Sequence, residues 1–115
     1  MPGYLKTVDI KSDMPTSDAA IRRVTYNIRN GKELGAAAVK IIHGYGSSGK
    51  GGVIRTKTRN YLADQKRKGL IRDIITGEDF SIFDEATRAA FLLCDELRRD
   101  PDLERHNNGV TIVVL

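Results

Sequence analysis

Ile41-Ile42-His43-Gly44-Tyr45-Gly46-Ser47-Ser48-Gly49-Lys50-Gly51-Gly52-Val53-Ile54-Arg55 runs from an apolar strand pattern, through a loop holding five of the chain's eleven glycines, into a strongly basic helix pattern. Glycine admits positive φ and close approach of the backbone to a ligand. A strand, a glycine-rich turn and a helix N-terminus in succession therefore present several unpaired N–H groups to an anion, and a phosphate suits that arrangement. His43, at the strand end, adds a group that titrates near neutral pH.

The elements needed to hold this loop can be read on either side of it. Leu5 to Ile10 alternates as a short strand and leaves Asp9 near its C-terminal end. Thr16 can cap a helix with Ala20, Ile21, Val24 and Ile28 on its apolar stripe, Gly31 as its stop, and Arg22, Arg23 and Arg29 in solvent. Ala36 to Ile42 reads as a fully buried strand that delivers His43 to the sheet edge. The helix after the loop, about Val53 to Lys68, turns Ile54, Thr58, Tyr61, Leu62 and Gln65 to one side and ends at Gly69. Leu70 to Ile75 is a third strand. These two βαβ units call for right-handed crossovers and a largely parallel sheet, whose strand carboxyl ends carry the ligand site. Asp9 and His43 both lie there.

Beyond Gly77 the character changes. Ser81 and Asp84 resemble a capping box, and Phe83, Ala86, Ala90, Leu93, Cys94 and Leu97 repeat at helical spacing from about Ile82 to Arg99, until Pro101 stops the helix. Gly109 to Leu115 is a final strand. Cys94, the only cysteine, reads as a buried hydrophobe, which leaves no disulfide within the chain.

A length of 115 residues bounds the chain to one domain over 1–115. With no long apolar run and no secretory signal, a soluble, cytoplasmic protein without membrane contact is expected. The net charge is +4, and it is unevenly spread: residues 1–77 carry fifteen Lys and Arg against six Asp and Glu, residues 78–115 four against nine. A basic field beside a phosphate-shaped loop favours a polyanion, DNA or RNA above all. A basic face equally suits acidic proteins, or serves solubility alone.

Three patterns fit the loop. Gly44, Gly46 and Gly49 satisfy the dinucleotide-binding G-x-G-x-x-G, but the chain lacks the second mononucleotide-binding half. Gly44, Gly49 and Lys50 satisfy G-x-x-x-x-G-K, but Gly51 stands where a P-loop places the magnesium-binding Ser or Thr. His43-Gly44-Tyr45-Gly46 followed by Gly52-Val53-Ile54-Arg55 resembles the His-Gly-x-Gly and Gly-x-Leu-Arg signature of the Small MutS-related (Smr) domain. That resemblance covers residues 5–77 and 109–115 in the right order.

The resemblance implies an α/β fold, an α+β sandwich with a four-stranded mixed sheet in βαβαββ order, similar to the C-terminal domain of bacterial translation initiation factor 3. A segment of roughly 78–108, with an extra helix, is inserted before the last strand, where it could cover a sheet edge or make a homodimer contact. Family members bind DNA or RNA, and several nick or cleave it. The family's first motif reads Leu-Asp-Leu-His-Gly. Here it is Val8-Asp9-Ile10-Lys11-Ser12, with lysine for histidine, a departure that bears on cleavage more than on binding.

The resemblance also implies roles. Loop N–H groups at the helix start, with Lys50 and Arg55, would hold a backbone phosphate, and Lys11, Gly44, Tyr45, Gly46, Lys57 and Arg59 would complete the nucleic-acid-binding surface. In a nicking or RNA-cleaving member, Asp9 would orient water or hold a divalent cation (Mg or Mn), and His43 would be general acid or base. One carboxylate is a poor metal site, so no residue is assigned as a dedicated ligand. Each catalytic reading has an equal structural one: His43 can pin the loop by a hydrogen bond, and Asp9 can cap a turn or pair with Lys11 or Arg55. The remaining alternative is a small nucleotide-binding, phosphate-binding or protein-interaction domain without catalysis.

Overall fold

The computed structural model describes residues 3–13, 15–45 and 50–115. Among these, four strands, β1 (Tyr4–Asp9), β2 (Ala36–Ile42), β3 (Asp73–Thr76) and β4 (Val110–Val114), alternate with α1 (Ser17–Glu33), α2 (Lys50–Arg67) and α3 (Glu85–Leu93), the last followed by a 3₁₀ turn over Asp95–Arg99. The sheet order is β1-β2-β4-β3. β1 pairs parallel to β2, whereas β4 lies antiparallel between β2 and β3. The mixed sheet is as expected, but it is less parallel than two βαβ units alone suggest, because the last strand enters between two that run the same way. The carboxyl ends of β1, β2 and β3 thus meet the start of β4 at one end of the sheet.

Local chemistry sets the helix limits. The Thr16 hydroxyl accepts the Ala19 N–H at 3.2 Å and starts α1. Gly31 does not stop it: it is buried within α1, where a Cβ would meet Leu115 and Val39 side chains at 3.3 and 3.4 Å. The end comes at Gly35, whose φ of +83° supplies the left-handed cap. α2 closes with a paired cap, in which Gly69 (φ +76°) donates to Lys66 O and Leu70 to Gln65 O. That cap uses Leu70, which stays exposed, so β3 begins later than its apolar pattern suggests.

The sheet separates two cores. Val8, Ile10, Val39, Ile41 and Val113 pack under α1 and α2 with Val24, Ile54 and Leu62. Ala38, Ile75, Ile112 and Val114 face the other way, onto Phe80, Phe91, Cys94 and Leu97. The 78–108 segment therefore covers a sheet face rather than an edge. Its expected single helix is broken at Cys94 (φ −144°, ψ 90°), and this extended residue lets Cys94 and Leu97 both reach the core. Asp84 is the N-cap, accepting Thr87 N–H at 3.0 Å, so Ile82 and Phe83 precede the helix and Phe83 is exposed.

One charge is sealed inside. Lys40, in the middle of β2, points to the second face, and its ammonium donates to Asp100 at 2.8 Å and pairs with Asp102. Burial pushes the Lys40 pKa down, but the two carboxylates outweigh it and hold the group charged. Removing the cation strands buried carboxylates. Lys40→Met is expected to lower unfolding free energy by about 3–5 kcal/mol, measured by urea denaturation. Adding Asp100→Asn and Asp102→Asn to it should recover part of that loss, and a Lys40→Met protein as stable as wild type would show the triad to be inconsequential.

Candidate functional site

At the common strand end, β2 passes into His43 and Gly44, and both of their N–H groups donate to the carbonyl of Gly109, each at 3.0 Å. Gly44 has φ +76°, and a Cβ there would lie 3.1 Å from Lys11 Cδ. The glycine thus gives both the turn and the bed for the Lys11 stem. Gly109 is matched to the next residue along: a Cβ on it would come within 3.0 Å of the Tyr45 ring. Tyr45 remains 58 % exposed.

His43 lies beneath this turn and is fully buried. Its Nδ1 is 2.7 Å from Gly44 O, and Nε2 is 2.8 Å from Thr111 Oγ1. A carbonyl oxygen only accepts, so Nδ1 carries the proton and Nε2 accepts from the Thr111 hydroxyl. Thr111 Oγ1 accepts in turn from Arg59 Nε at 3.1 Å, and Glu78 grips Arg59 through two bonds of 2.7 and 2.9 Å. Four elements of the structure are strung on this chain. Burial lowers the His43 pKa to about 4; the Gly44 carbonyl offsets part of this, while the Arg59 and Arg55 charges add to it.

Asp9 and Lys11 form the neighbouring loop. Asp9 Oδ1 accepts the N–H groups of Lys11 (2.8 Å) and Ser12 (3.0 Å), and Oδ2 stands 3.7 Å from Lys11 Nζ. Burial raises its pKa, but these hydrogen bonds and the lysine charge outweigh it, so the net shift is downward. The carboxylate thereby closes a turn. A divalent cation does not fit this arrangement, because Oδ1 is already engaged twice and Oδ2 faces an ammonium. Arg23, expected in solvent, donates to Ile10 O and Ser12 O and braces the same loop.

The remaining predicted residues are distributed unevenly. Arg55 is half-buried and close enough for its charge to act on both His43 and Glu78. Lys57 is exposed, but two residues on it is turned about 200° round α2 from Arg55. Arg59 shares Arg55's side of the helix, with its guanidinium engaged by protein. Gly46 lies outside the described residues, as does the side chain of Lys50, the first residue of α2. Thr111, Glu78 and Gly109 were not singled out in the sequence. The signal for Thr111 was a lone hydroxyl in the run Val110-Thr111-Ile112-Val113-Val114, which nothing on a wholly apolar face would require.

Two outcomes test the buried relay. Thr111→Val keeps the shape but leaves His43 Nε2 without a donor, and should cost about 1–3 kcal/mol in urea unfolding. The depressed His43 pKa also makes stability depend on pH. Above about pH 6.5 the imidazole is neutral in both states and the full stability is present. From there down to about pH 4 only the unfolded chain takes the proton, and stability falls by about 3 kcal/mol. An NMR titration of the His43 ring near its ordinary value of 6.5 would refute this.

The family model described as the Smr domain matches residues 13–81. The crystal structure of the Smr domain of Thermus thermophilus MutS2 superposes with a TM-score of 0.59 at 21% identity, covering 96% of each chain, a likeness of fold. No curated protein matches. Among the described residues, no helix is long and apolar enough to cross a membrane. The strand-to-helix glycine turn that holds His43, Gly44 and Tyr45 and the start of α2 fall inside the matched span, and the chain belongs to the Smr domain family.

Proposed function

We propose that this Smr domain binds the sugar-phosphate backbone of DNA or RNA through the end of the sheet where Lys11, Gly44, Tyr45 and the first turns of α2 converge. The observation that carries this reading is the Lys11 stem lying across the positive-φ Gly44, with its ammonium beside the turn, 3.7 Å from Asp9 Oδ2. The surroundings agree in sign, since α1 and α2 together hold ten Lys and Arg against three Asp and Glu. Arg55 adds a cation near the start of α2, where its charge opposes the helix dipole and suits an anion instead. Lys57, turned about 200° round α2 from Arg55, lies off this surface. Contacts of this kind fix the position of a strand without reading its bases.

On this reading His43 and Asp9 are positioning residues. A neutral, fully buried imidazole bonded at both nitrogens holds Gly44 in its left-handed conformation, and Asp9 holds Lys11 in place. Proton transfer to a substrate would require His43 to leave Thr111 and reach the surface. Cleavage is therefore not part of the proposed activity.

Binding to single-stranded and duplex DNA and RNA, followed by fluorescence anisotropy over a range of salt, tests the proposal. Affinity should fall steeply with salt and vary little with base sequence. Lys11→Gln and Arg55→Gln should each reduce the log–log salt slope by about 0.7–0.9. No binding at low salt, or slopes unchanged in both variants, would sink the reading. Incubation with supercoiled plasmid and with structured RNA, in magnesium, manganese or chelator, should leave both intact. Cutting by the wild type that is lost in Asp9→Ala or His43→Ala would restore a catalytic role.

A further inference from the structure

The guanidinium of Arg59 presents two different edges. Its Nε/Nη2 edge faces the start of β4: Nε donates to Thr111 Oγ1 at 3.1 Å, and Nη2 to the carbonyls of Val110 and Asn108 at 3.3 and 3.4 Å. Its Nη1/Nη2 edge carries only the carboxylate of Glu78, in a parallel two-bond fork. The first edge anchors the group to the sheet without any help from Glu78. The second is a rigid, outward-facing fork of the kind that takes either a carboxylate or a phosphate.

Glu78 is held less firmly than the arginine it grips. The Arg59 side chain is 21% exposed and that of Glu78 43%. Glu78 directly follows Gly77, in the turn leaving β3, and its carboxylate also feels the charge of Arg55. An ion pair whose acid is half in water contributes little net stability, so replacing its anion is inexpensive. The fork is also joined, through Thr111 and His43, to the Gly44 turn over which Lys11 lies.

We propose that the Nη1/Nη2 edge of Arg59 is a phosphate position in the nucleic-acid surface, occupied in the free protein by the chain's own Glu78 and vacated when a backbone phosphate enters. Glu78 is thus a resident competitor that weakens binding, and Arg59 contributes to it only after the exchange. The inference rests on the backbone-binding reading above, extending it to a second phosphate beside the one at Lys11.

The test compares wild type, Glu78→Gln, Arg59→Gln and the double variant, with Glu85→Gln on α3 as a control for loss of one negative charge. Glu78→Gln should tighten binding of a single-stranded oligonucleotide about threefold to tenfold and steepen the salt slope by about 0.7. Both gains should vanish in the Arg59→Gln background and be absent from Glu85→Gln. Equal tightening by Glu85→Gln, or a gain that survives without Arg59, would overturn the proposal. Thermal unfolding confirms that each variant is folded. A second arm needs no nucleic acid: the Arg59 Nε–H resonance is followed by NMR during titration with inorganic pyrophosphate. It should shift at lower pyrophosphate in Glu78→Gln than in wild type, and an unresponsive resonance in both proteins would overturn the phosphate position. If oligonucleotides bind neither protein, the backbone-binding reading fails, and the pyrophosphate arm alone decides whether the fork takes phosphate.

Discussion

The insertion of β4 between two strands that run against it is the constraint from which the site follows. β4 begins where β2 and β3 finish, so Gly109 and Thr111 arrive beside His43. The Gly109 carbonyl takes the N–H groups of both His43 and Gly44, and the Thr111 hydroxyl supplies the ring nitrogen below. A parallel fourth strand would bring its carboxyl end here and carry these groups elsewhere. The glycine turn is thus shaped less by its own sequence than by a strand more than sixty residues away.

The insertion also explains why a buried histidine is tolerated. An imidazole sealed from water must have both nitrogens satisfied, and Gly44 O and Thr111 Oγ1 do so with opposite polarity. The resulting tautomer is fixed by the one group that cannot donate, the carbonyl. Arg59 then orients the Thr111 hydroxyl, and Glu78 holds the outer edge of Arg59. Polar groups that would each be costly to bury alone form one satisfied chain.

How much of this could be read in the sequence depended on sequence separation. The strand, glycine turn and helix around His43 are contiguous, and Ile54, Thr58 and Leu62 fell on the buried side of α2 as their spacing requires. Gly31 reads as a helix stop but is not one, because a glycine's reason for being small can be a neighbour far along the chain: it lets the sheet approach α1, while the cap falls to Gly35. Partnerships such as Lys40 with Asp100, or Arg59 with Glu78 and Thr111, join residues that no local pattern associates. Cys94 reads as a core residue and is one, but the break it makes has no sequence signal, since an extended residue inside an apolar repeat leaves the repeat's spacing intact.

The division of charge across the sheet has one more consequence. The layer over residues 79–104 holds eight Asp and Glu against three Arg, behind the basic α1 and α2. The molecule is therefore an electric dipole with the strands as its midplane. Near any polyanion it experiences a torque as well as an attraction, turning its helical side forward and its acidic side away before contact is made. In an encounter with such a partner, the layer that completes the second core would thus bias the approach toward the basic helical side.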